Sequence, residues 1–144
     1  MPILMIAIFL FTVLEVSNVI TLYFFPGSQR ANGVGVFNAW EKSKADPEMH
    51  RFVRYLVNWV AGTKLIFLAL LIVILFTGGE ATKLWTVVAL IVSILSFFWR
   101  LFPIIREMDK NSQITPKGYS KSLCIMIIFF VAVFFAALLL SIFL

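Results

Sequence analysis

Four long, predominantly apolar runs, at 3–25, 55–76, 84–102 and 123–144, constrain this chain more than any other feature of it. A helix that crosses a bilayer needs about 20 apolar residues at a rise of about 1.5 Å each, and every run reaches that length to within a turn. Barrel strands would alternate apolar and polar residues over about ten positions, and these runs do not alternate. Little polar sequence is left to cover them. Of 144 residues 62% are hydrophobic and only 13% charged, and the mean hydropathy is +1.02. An ordinary soluble domain is about 25% charged. The predicted fold class is an all-α integral membrane protein, a single domain over 1–144 with four transmembrane helices in two antiparallel hairpins. Its 16 Phe and 4 Trp suit lipid-facing helices with aromatic ends at the interface.

The first run is read as a span and not as a cleaved leader. It has no basic stretch before it, it is long for such a segment, and Phe24-Phe25-Pro26 offers no small-residue cleavage site. Lys and Arg placement then sets an orientation. Arg30, Lys42, Lys44, Arg51 and Arg54 lie in the first long loop, and Arg100, Arg106, Lys110, Lys117 and Lys121 in the second. Lys83 stands alone in the short turn between the second and third runs. The positive-inside rule puts both long loops in the cytoplasm and both termini outside. The formal net charge of +5 calls for no nucleic-acid partner, because these cations flank membrane spans and can face anionic headgroups. The chain's compactness and its lack of eukaryotic targeting signals point to a prokaryotic inner membrane.

Local signals divide the first loop. Pro26-Gly27 ends the first helix and Asn32-Gly33-Val34-Gly35 is turn chemistry. The stretch 36–44 is expected as a short interfacial helix, with Phe37 and Trp40 on one face and lysines beyond. Asp46-Pro47-Glu48 has the pattern of a helix start, with Asp as N-cap and Pro at the first helical position. The second helix is therefore expected from Pro47 to Phe76, about 45 Å long. The second half echoes this layout: Pro103 follows Phe102 as Pro26 follows Phe25, and Thr115-Pro116 repeats the cap-plus-proline start. Between them, Ile104, Ile105 and Met108, interleaved with charges, read as a short amphipathic turn beside the membrane.

Two charges fall near the middle of apolar runs. Glu15 precedes Phe25 by ten residues and Lys64 follows Arg54 by ten, so in an antiparallel pair both lie about 15 Å from the cytoplasmic interface, near the midplane. An isolated ionisable group there costs at least about 2.5–3.5 kcal/mol, which predicts a Glu15–Lys64 contact. Thr12, Glu15 and Asn18 recur every three residues and share one side of their helix; Asn58, Ala61 and Lys64 do the same, with Gly62 and Thr63 beside them. The candidate binding residues are Glu15, Asn18, Asn58, Lys64, Thr12 and Thr63. One reading is a static pair that fixes the register of two helices, within the chain or across an oligomer interface. The other is a site for a small solute, ion or proton.

Elsewhere the signals are sparse. Glu41, Asp46, Glu48 and His50 gather in the first loop, but His50 and Glu48 face opposite sides of a helix and there is no second histidine. The single cysteine, Cys124, excludes an intrachain disulfide and a Cys-rich metal site. No nucleotide loop, nucleophile motif or zinc signature is present, and no cofactor or metal is expected. Leu14-Glu15-Val16 in the first of four helices resembles the small multidrug resistance transporters, which carry an essential glutamate there. The chain departs from them in its long first loop, in the lysine of its second helix and in its one-sided charge, and the resemblance covers three residues. The expected function is a small transporter or channel-type subunit, working as a homo-oligomer or with a membrane partner. The alternative is a non-catalytic accessory subunit of a larger membrane complex, with a membrane enzyme third.

Overall fold

The computed structural model describes residues 2–143. Six α-helices follow in order: α1 (Pro2–Phe24), α2 (Asn38–Ser43), α3 (Pro47–Thr77), α4 (Glu80–Leu95), α5 (Leu101–Lys110) and α6 (Tyr119–Phe143). Four segments are long and apolar enough to cross a membrane: α1, α3, α6, and Glu80–Lys110, which comprises α4, a short 3-10 turn and α5.

A stripe along α1 organises the packing. Leu4, Ile8, Phe11, Val19 and Leu22 are buried at helical spacing. At one end Leu4, Ile8 and Phe11 meet Leu71 of α3, Val87 of α4 and Phe134 and Ala137 of α6, so all four long segments share one core. Phe11 is its centre, with ring centroids 5.3 Å from Phe134, 6.1 Å from Phe130 and 6.3 Å from Phe67. At the other end Leu22 packs on Val57 and Ala61. Residue numbers on α3 fall as those on α1 rise, which places α1 and α3 antiparallel. The outward faces stay apolar: Phe9, Phe76, Trp85 and Phe129 are all exposed, as suits helices surrounded by hydrocarbon.

The long helix α3 begins where the sequence places it. The Asp46 carboxylate accepts from the amides of Glu48 and Met49 at 3.0 and 3.2 Å, and Pro47 occupies the first helical position. The short helix α2 also forms, but its aromatic face is turned to protein. Trp40 is buried and packs on His50 with ring centroids 4.9 Å apart, and its indole lies so close over Gly27 that a Cβ there would come within 2.7 Å of Nε1. Phe37 turns toward Tyr119, 6.3 Å between centroids. The first loop is thus a small packed unit whose aromatic rings are spent on protein.

The two long loops clasp each other, which no local sequence pattern announces. Asn38 donates its backbone N–H to the Gln113 carbonyl at 2.9 Å and its side-chain amide to the Ser112 carbonyl at 3.0 Å. It accepts from the Thr115 hydroxyl at 3.2 Å, and the Thr115 N–H donates to the Val36 carbonyl at 2.8 Å. Beneath this clasp Val36, Ile105 and Ile114 form a third buried cluster, flanked by Phe37, Met108 and Tyr119. The loops therefore close one end of the bundle as a single body.

Two helix boundaries differ from the sequence expectation. The third apolar run does not continue as one helix to Phe102. It leaves α-helix after Leu95 and restarts at Leu101, and Pro103 sits in the first turn of α5, where its missing N–H costs nothing. The proline that was expected to end a helix helps to begin one. Likewise Thr115-Pro116 does not cap the last helix, which starts three residues later at Tyr119. The cap comes from α5. The Asp109 carboxylate accepts from Gly118 N at 3.0 Å, Ser120 N at 2.9 Å and Ser120 Oγ at 2.6 Å, and Asp109 and Ser120 are both buried.

Asp109 lies in the last turn of α5, beyond the apolar run 84–102, and its hydrogen bonds favour the ionised form. The Ser120 hydroxyl, then the Ser120 and Gly118 amides, hold its carboxyl below the ordinary 3.8. A carboxyl depressed in the folded state stabilises above its unfolded pKa and loses that contribution as pH falls through the folded value. The Gly118 and Ser120 amides are therefore expected to stay protected from hydrogen exchange at neutral pH and to lose protection only below the ordinary carboxylate value. Asp109→Asn should expose them at neutral pH already; equal protection in the two proteins would show that the carboxylate does not hold this corner.

Candidate functional site: an ion pair between α1 and α3

Helix geometry brings Glu15 to the α1–α3 seam. It follows Phe11 by four residues and precedes Val19 by four, so it stands in the stripe that buries α1. On α3, Lys64 lies between Ala61 and Leu68, both buried against the bundle. The two side chains meet as an ion pair. Lys64 Nζ donates to Glu15 Oε2, and Asn18 Nδ2 donates to Glu15 Oε1 at 3.0 Å. Both carboxylate oxygens are occupied, which is what a charge away from water requires. The pair is not sealed: the Glu15 side chain is 13% exposed and that of Lys64 22%.

An ammonium carries three donors, and one of them serves Glu15. Lys64 also lines an open groove of about 240 Å³ with Trp59, Val60, Thr63 and Phe67. A carboxylate held between an amide and an ammonium, beside such a groove, can bind a small cation or proton by giving up the ammonium. The ammonium can equally turn to a small anion or carbonyl group. Both are exchange reactions at one pair of charges.

The structure brings together three of the six residues singled out from sequence. Glu15, Asn18 and Lys64 form the site, and Thr63 borders the groove while its hydroxyl bonds the Trp59 carbonyl at 2.9 Å. Thr12 is buried and its hydroxyl is bound to the Ile8 carbonyl at 2.8 Å. Both threonines back-bond four residues upstream, as helical hydroxyls do in apolar surroundings. Asn58 faces a different place, a pocket of about 20 Å³ near the loop end of the seam that it lines with Tyr23, Pro26, Arg54 and Val57. That is room for one water with polar partners. Sequence reading missed Tyr23, whose hydroxyl lies 3.5 Å from where a Cβ on Gly62 would stand; the absence of a side chain at Gly62 was the available signal.

The charged cluster of the first loop is divided among separate tasks. Glu41 pairs with Lys44 at 2.8 Å, Asp46 caps α3, and His50 Nδ1 lies 2.8 Å from Ser43 Oγ. Ser43 gives its proton to the Trp40 carbonyl at 2.7 Å, so the hydrogen between it and His50 belongs to Nδ1. Buried and committed in this way, Ser43 is a structural link and not a nucleophile. No three His, Cys, Asp or Glu side chains come together to hold a metal among the described residues.

No protein-family model, curated protein or solved structure matches the chain.

Proposed function

We propose that the protein is an integral membrane subunit of transporter or channel type that binds a small solute, ion or proton at the Glu15–Lys64 pair. In this reading the four apolar segments span the bilayer as two antiparallel hairpins, the clasped loops face the cytoplasm and both termini lie outside. The observation that carries it is the position of the pair: two opposite charges between apolar neighbours, joined by Asn18, beside a groove that Lys64 itself lines. Ionisable groups in such surroundings mark ion and proton pathways. A groove open to the side is completed by another chain, so the working unit is a homo-oligomer or a complex with a membrane partner.

One observation favours a second reading, an accessory subunit of a larger complex. Glu15 and Lys64 neutralise each other, and a neutral pair can serve simply to fix helix register. Proteoliposome flux separates the two. Wild type should dissipate an imposed proton or ion gradient, and Glu15→Gln combined with Lys64→Met should be folded and inactive. Absence of flux in the wild type, with one partner protein retained through purification, would support the accessory role.

A further inference from the structure

The whole formal charge of +5 resides at the clasped-loop end. Glu15 and Lys64 pair in the seam, and Glu80 and Lys83 balance at the opposite end, which leaves ten cations and five acids on the loop side. The α5–α6 corner brings the backbone of three of the cations together. The Asp109 carboxylate binds Gly118 and Ser120, and each of these three residues has a lysine as its immediate neighbour: Lys110, Lys117 and Lys121. All three lysines are exposed, and none makes an ion pair among the described residues. The nearest acids in sequence are Asp109, engaged by its three donors and also favoured in its charged form by Lys117, and Glu107, which forms no ion pair among the described residues.

Directly below Lys121 the same face of α6 turns apolar. Ile125, Ile128 and Phe129 follow it by four, seven and eight residues, and these residues are 59%, 55% and 63% exposed. Three exposed cations at one corner, at the head of an exposed apolar stripe, have the polarity that suits one kind of molecule, an amphiphile with an anionic head and an apolar tail. A soluble polyanion would use only the lysines, and a partner helix would have to bring its own acids to the level of the headgroups. We propose that Lys110, Lys117 and Lys121 bind the phosphate headgroup of an anionic phospholipid whose acyl chain lies along Ile125, Ile128 and Phe129. The site rests on the membrane-spanning reading but not on any transport role for Glu15 and Lys64. Asp109 acts as a positioning residue, holding the lysines together without touching the lipid.

Native mass spectrometry of the detergent-purified protein, titrated with dioleoylphosphatidylglycerol or dioleoylphosphatidylcholine, tests this. The wild type should retain phosphatidylglycerol about tenfold better, as attraction of anionic lipid to several lysines implies. Replacing Lys110, Lys117 and Lys121 together by Gln should bring the two lipids to parity, while Arg30→Gln, Lys42→Gln and Arg51→Gln combined should leave the preference intact. The sharper variant is Asp109→Asn. It makes the protein more positive, so attraction by bulk charge would strengthen phosphatidylglycerol binding, whereas scattering the lysines should weaken it. Equal retention of the two lipids by the wild type, or an unchanged preference in the triple lysine variant, would overturn the site. The lysine variant alters only exposed side chains, so it remains decisive if Asp109→Asn does not fold. Should alkaline carbonate strip the protein from cell membranes, the membrane reading itself falls; a protein that stays embedded and shows no lipid preference removes only this inference.

Discussion

Glu15→Gln or Lys64→Met alone is expected to lower the thermal stability of the detergent-solubilised protein sharply, and the two together to restore most of it. Each single change leaves the other charge in an apolar seam without its partner. For a fully buried pair that loss is about 3–5 kcal/mol, and the residual exposure of both side chains puts the expectation at the lower end. The double variant removes both charges, and a neutral replacement of a whole pair is often close to thermodynamically silent. Asn18 gives the cycle an internal control, since its amide can still donate to the side-chain carbonyl that Glu15→Gln retains. Single losses that simply add in the double variant would mean that the two residues do not interact.

The second large effect is expected at Gly35. The first loop folds back so that Gly35 N–H donates to the Ser28 carbonyl at 3.1 Å and Val34 N–H to the Pro26 carbonyl at 2.7 Å. A Cβ on Gly35 would run into the carbonyl of Gly27 and would stand 2.9 Å from that of Ser28. Both obstacles are backbone, so no side chain can swing aside, and the loop must open. Overpacking a well-filled site typically costs about 1–3 kcal/mol. Gly35→Ala should therefore free the segment that carries α2, expose Trp40 and loosen the clasp at Asn38. The measurement is limited proteolysis together with the emission of Trp40 in a protein whose Trp59, Trp85 and Trp99 are replaced by Phe. A shift of that emission toward water, with cleavage between Pro26 and Asp46, is the expected result. Gly62→Ala is the control, because its methyl would meet only the Tyr23 hydroxyl at 3.5 Å and should leave the loop closed.

What the sequence disclosed, and what it did not, follows from the range of the forces involved. The Asp46-Pro47 start of α3 was legible because an N-cap and a first-turn proline act within four residues. The meeting of Glu15 and Lys64 was legible because charges inside apolar runs are rare, and equal depth in two antiparallel helices left each only one partner. The break after Leu95 was not, since Ser96-Phe97-Phe98-Trp99 is as apolar as the helix before it and carries no breaker. Pro103 and Pro116 misled for a common reason: a proline marks a boundary without saying on which side the helix lies. Asp109 and Asn38 were invisible because each bonds backbone groups brought near only by tertiary folding. The burial of Trp40 was missed because an aromatic beside lysines has the same pattern whether its ring meets lipid or, as here, His50 and Gly27.

The central claim is that four segments cross a membrane with both clasped loops on the cytoplasmic side, so that Glu15 and Lys64 meet inside the bilayer. Labelling of single cysteines with a membrane-impermeant thiol reagent in intact cells tests it most directly. Ala31→Cys, Ser112→Cys and Gly79→Cys, each in a Cys124→Ser background, sample the two loops and the short turn between α3 and α4, and all three positions are exposed. The position at Gly79 has open space where the new side chain would stand. The expected result is labelling at 79 in intact cells, with 31 and 112 reacting only after the membrane is permeabilised. Labelling at 31 and 112 with protection at 79 would invert the orientation, and equal labelling of all three in intact cells would contradict the membrane-spanning arrangement altogether.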